Sequence, residues 1–76
     1  MQQYKFTIEG ATGAGNTYTT TGTVEAHTRD FIGACENAMR ECFQQLTSGR
    51  AIFGQPGAGC RGPYSITKMT IEVVTQ

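Results

Sequence analysis

Cys35, Cys42, Cys60, His27 and six carboxylates carry most of the reactive chemistry available to this 76-residue chain. A tetrahedral zinc site needs sulfur ligands on a single ion. Cys35 and Cys42 are seven positions apart, about 10.5 Å of rise on the helix argued for below, which is beyond the roughly 7 Å Cα limit for a disulfide. They read as small apolar residues of a helix face. Cys60 stands beside Arg61, whose charge favours a thiolate. A nucleophile also needs a base, and nothing in the sequence brings the single histidine to Cys60. Glu9, Glu25 and Glu72 fall on a solvated strand face that keeps them apart. No catalytic residue, metal ligand or cofactor is assigned, and the chain is expected not to be an enzyme; a small Cys60-dependent enzyme is the second alternative.

Gly57-Ala58-Gly59-Cys60-Arg61-Gly62 has the spacing of a dinucleotide fingerprint, but that motif must follow a buried strand and open a helix. Here it precedes Pro63 and a strand, so it is rejected. The segment containing it is more informative. Gly49 to Ser65 holds five glycines and two prolines in seventeen residues, and connections of this length without structure of their own are usually functional or disordered. Ile52, Phe53 and Tyr64 argue for anchoring rather than disorder. Three cations and no anions fall between Cys42 and Ile71, against five acids and three bases in residues 1–41. A positive end follows, and the expected partner-binding residues are Arg50, Phe53, Arg61, Tyr64 and Lys68.

Thr17, Thr19, Thr21 and Thr23 form a second candidate surface in a chain with twelve threonines. A single strand cannot supply the flat array of an ice-binding face, and β-branched residues suit a solvated strand in any case.

The elements that must position these groups follow from periodicity. Tyr4, Phe6 and Ile8 alternate with Lys5, Thr7 and Glu9, giving strand one; Gly10 to Asn16 is a loose, mobile turn; residues 17–26 alternate again as strand two. The period then changes to 3.6, with Phe31, Cys35, Ala38, Cys42 and Leu46, flanked by Ile32, Met39 and Phe43, on one side. Arg29, Asp30, Asn37, Arg40, Glu41, Gln44 and Ser48 occupy the other. A helix of about twenty residues is expected, with Thr28 as N-cap and Gly49 at its end. Thr67, Met69, Ile71 and Val73 mark strand three. The fold class is α+β, β-β-α-β, with a three-stranded antiparallel sheet of order 2-1-3 and the helix on one face. Phe31, Cys35, Met39, Phe43 and Leu46 are expected to cover that face, with Gly22 making room for a large helix side chain.

Length allows one small domain, residues 1–76, with little surface to bury. Lys and Arg balance Asp and Glu at six each, and charged residues are 16% of the chain, so no global field points to nucleic acid or membrane. The N-terminus lacks the apolar core of a signal peptide, and an odd cysteine count suits reduced thiols; the expected location is the cytoplasm. In size, single-helix layout and lack of paired catalytic residues the chain resembles the small proteins of phages and mobile elements, anti-CRISPR and other anti-defence inhibitors among them. That resemblance implies a non-enzymatic protein-binding module that inhibits a host nucleic-acid-handling complex by stoichiometric binding. The alternative is direct nucleic-acid binding through Arg50, Arg61, Lys68, Phe53 and Tyr64. Strands two and three are expected sheet edges, so a homodimer through edge strands is a further expectation.

Overall fold

Alternating apolar and polar residues make long antiparallel strands here, and the amphipathic stretch between them makes the helix. The computed structural model describes residues 1–13, 15–54 and 63–74. Its elements are β1 (Gln2–Ala11), β2 (Thr17–Ala26), α1 (Phe31–Ser48), β3 (Ile52–Phe53) and β4 (Ser65–Val73). The class is α+β with one helix and an antiparallel sheet. The sheet has four strands, not three, and its order is β3-β2-β1-β4 rather than 2-1-3. β4 lies beside β1, and the unexpected β3 adds Phe53 opposite Tyr18 and Ile52 opposite Thr19 on the outer side of β2. Two residues offer no alternation to read; the pairing with β2 makes the strand.

The first turn is tied rather than loose. Thr12 and Asn16 are buried, the Thr12 N–H donates to the Asn16 carbonyl at 2.7 Å, and the Gly15 N–H returns to the Thr12 carbonyl at 2.9 Å. β4 carries a register shift against β1 between Glu9 and Gly10. At that point Gly10 packs so closely on the Ser65 carbonyl and the Tyr18 hydroxyl that a Cβ would overlap both.

The helix is capped by Asp30, not Thr28: the Asp30 carboxylate accepts the Gly33 N–H at 2.9 Å. Arg29, at φ 70°, turns the chain into the cap. Gly49 ends the helix in the left-handed region, as glycine does at this position.

Tyr4, Phe6, Ile8 and Tyr18 rise from the sheet into the core, and α1 meets them with Ala34, Ala38, Cys42 and Leu46. This corrects the expected contact face. Of the five residues expected to cover the sheet, only Leu46 is buried; Phe31 is 58% exposed, Met39 42% and Phe43 57%. Aromatic rings already fill the layer, so a close-packed row spaced by four, small at Ala34, Ala38 and Cys42 and ending on Leu46, faces the sheet and the row of larger residues is turned outward. Gly22 correspondingly accommodates the Phe6 ring of the neighbouring strand, whose nearest carbon would lie 2.9 Å from an added Cβ.

Asn37, expected on the solvent side, also has a structural task. Its amide donates to the Glu25 carbonyl at 2.8 Å, and the Gln45 amide donates to the Thr21 carbonyl at 2.8 Å. Eight helical residues rise about 12 Å and four strand residues about 13 Å. Two side chains on one helix flank can thus reach two outward carbonyls of β2.

Candidate protein-binding surface

α1 lies over β2 and β1 and leaves the helix-side face of β4 largely uncovered. An open apolar groove of about 460 Å³ runs there, lined by Met39, Phe43, Tyr64 and Ile66 above Tyr18 and Leu46. The ring of Tyr64 holds the groove together: it meets Tyr18 edge-on with centroids 6.4 Å apart and Phe43 at 6.1 Å. Tyr18 is fixed in turn by its hydroxyl, which donates to the Ser65 carbonyl at 2.8 Å.

The expected contact residues divide between surfaces. Tyr64 lines the groove, and Phe53 packs half-buried against the same core cluster from the opposite edge of the sheet. Arg50 sits just past the helix, donating to the Ser48 hydroxyl at 2.9 Å and facing Glu41 at 3.8 Å. Lys68 lies on the other face of the sheet, opposite Glu9. Arg61 lies outside the described residues, as do Cys60 and the rest of the Gly57–Gly62 motif. Arg50 and Lys68 therefore each stand near a carboxylate, which weakens the expected positive end. The threonine row is displayed on the bare face, with Thr17, Thr21 and Thr23 exposed and Thr19 half-buried.

The outward helix row of Phe31, Ile32, Met39 and Phe43 was legible as apolar but read as core. Ile66 was missed as a groove residue because the register shift at Gly10 turns it to the helix side. Among the described residues no three His, Cys, Asp or Glu side chains gather as metal ligands. No described helix is long and apolar enough to cross a membrane.

Tyr18 gives the groove floor a pH signature. Burial away from water, with the charge and hydrogen bond of the neighbouring Cys42 sulfur adding to it, pushes its hydroxyl up from 10.0 to about 12. The folded state holds this proton more tightly than the unfolded chain does. The associated stability is fully present below pH 10 and lost as pH rises toward 12. On the order of 2 kcal/mol should disappear over that window. Urea unfolding at pH 9 and pH 11.5 should show a steeper loss for the native chain than for Tyr18→Phe, and parallel losses would contradict the assignment.

No family model matches the chain, and neither the curated proteins nor the solved structures yield a match. Among the described residues, fold and surface define an α+β domain of one helix and an antiparallel sheet, with an open apolar groove between the helix and one edge strand.

Proposed function

We propose that this chain is a non-enzymatic protein-binding module whose contact surface is the groove end of the molecule, with Tyr64, Arg50 and Arg61 among its contacts. One observation carries the reading: large apolar side chains, Phe43 and Ile66 above all, stay exposed around a groove in a domain that has few such residues to spare. Exposed apolar patches with aromatic and arginine neighbours are the composition of protein-protein hot spots. The partner-binding set is extended by Phe53 and Lys68, which reach the rim of the same partner only if it wraps the sheet.

Direct nucleic-acid binding has less support, because Arg50 and Lys68 are each accompanied by a carboxylate and a few phosphate contacts give modest, salt-sensitive affinity. The alternative of a Cys60 enzyme turns on a residue outside the described segments. The narrower reading, stoichiometric inhibition of a nucleic-acid-handling defence complex in the cytoplasm, is supported by size and layout alone.

Capture from host lysate with and without nuclease, followed by mass spectrometry, tests the reading. A protein recovered equally in both conditions supports it; capture that vanishes with nuclease overturns it in favour of nucleic acid. Reversing both arginines, Arg50→Glu with Arg61→Glu, should weaken that capture by several kcal/mol while thermal stability scarcely changes. Lys5→Glu on the bare face should leave it intact, and equal loss from Lys5→Glu would move the site to the threonine face.

A further inference from the structure

The two long edges of the sheet are treated differently. Along β2 most outward carbonyls are occupied: Thr17 accepts from the Gly54 N–H at 2.9 Å, Thr21 from Gln45 and Glu25 from Asn37, with β3 paired at Thr19. Among the described residues β4 is the last strand on the other side. Its regular pairing with β1 fixes which groups face outward. The Val74 N–H donates to the Gln3 carbonyl at 3.0 Å, so past the register shift Lys68, Thr70 and Glu72 bond inward and Met69, Ile71 and Val73 direct their N–H and C=O groups to the open edge.

This edge is self-complementary. If a second copy pairs antiparallel about a twofold axis through Thr70, Lys68 stands opposite the second copy's Glu72 and Glu72 opposite its Lys68. On the helix side Met69 meets Ile71 and Ile71 meets Met69. The outward-bonding residues fall opposite outward-bonding residues, as the ladder requires. Moving the centre to Lys68 or to Glu72 sets like charges against each other, and centring on Met69 or Ile71 leaves the charges unmatched. Charge therefore selects one register.

We infer that β4 is the interface of an isologous homodimer, two copies joined into a continuous eight-stranded sheet about Thr70, with both helices on one face. The pairing consumes both long open edges and leaves only the two-residue β3 and the amide-capped part of β2 outside, so assembly stops at two. The Met69 and Ile71 side chains of both copies form one apolar cluster beside the helices. The interface is independent of the groove reading above.

Light scattering on the full chain between about 1 and 100 µM should show twice the chain mass at the upper end. Lys68→Glu should raise the dissociation constant about tenfold or more, and adding Glu72→Lys to the same chain should recover it. Inside one chain that double change opposes Glu9 and Lys5 with like charge, so recovery can arise only between copies. Thr70→Cys provides the check on register, because residues opposite each other at a non-hydrogen-bonded position lie about 4.5 Å apart, within disulfide reach. Mild oxidation should cross-link Thr70→Cys well above the native chain, whose own cysteines set the background. A monomer at every concentration, a dimer indifferent to Lys68→Glu, failure of the double change to recover, or no cross-link above background would each overturn the proposal.

Discussion

Gly10→Ala is expected to cost about 3 kcal/mol or more of folding stability, from overpacking plus a lost part-buried hydrogen bond. Gly10 is buried where β4 shifts register against β1, and a Cβ there would overlap the Ser65 carbonyl and lie 2.6 Å from the Tyr18 hydroxyl oxygen. Backbone cannot swing aside as a surface side chain can. Relief would separate β1 from the start of β4, break the Tyr18 to Ser65 hydrogen bond and displace Tyr64 from the groove. A domain of this length holds on the order of 4–11 kcal/mol in all, so the variant sits near the unfolding threshold at 37 °C. Gly15→Ala is the matched control: Gly15 has φ 84° but nothing within 4 Å of an added Cβ. It should cost about 1–2 kcal/mol, the penalty of a left-handed alanine. Urea unfolding followed by circular dichroism separates the two, and a Gly10→Ala cost no larger than that of Gly15→Ala would refute the close approach.

Period-two alternation was enough to place β2, most of β1 and most of β4, because a half-buried strand writes its two faces directly into the sequence. The helix was equally visible, but its orientation was not. Ala34-Ala38-Cys42-Leu46 and Phe31-Cys35-Met39-Phe43 are neighbouring rows on one broad apolar arc, and hydrophobicity alone favours the larger residues. Which row turns inward depends on how much volume the sheet already supplies. Tyr4, Phe6 and Tyr18 supply it, and the small row wins.

Other features depend on pairing between distant segments. β3 exists because Phe53 meets Tyr18, the edge caps because Asn37 and Gln45 span two outward carbonyls, and the groove because Gly10 lets the register slip and redirects Ile66. None has a local signature. For the candidate site, composition grouped Lys68 with Tyr64, although Tyr64 lines the groove and Lys68 projects from the opposite face of the sheet. Nearness in sequence is a poor guide within a strand, where successive residues face opposite ways.

Two phenylalanines bring these distinctions to a measurement. Phe6 is 0% exposed, enclosed by the core cluster and seated in the space left by Gly22; Phe43 belongs to the outward helix row and touches Tyr64 by its edge. Phe6→Ala should cost about 3–5 kcal/mol, the range for a buried aromatic with its cavity, and leave little folded protein at 37 °C. Phe43→Glu should cost about 1 kcal/mol, chiefly the lost ring contact, because its replacement stays in water. The binding effects should run the other way. A charge placed in an apolar hot spot should weaken partner capture about thirtyfold or more, in a domain that still unfolds cooperatively. The two variants are to be compared by urea unfolding and, for Phe43→Glu, by capture from lysate under native conditions. If Phe43→Glu unfolds as Phe6→Ala does, the outward row is core and the groove is closed in solution. If it folds and captures the partner as well as the native chain, the groove is not the contact surface.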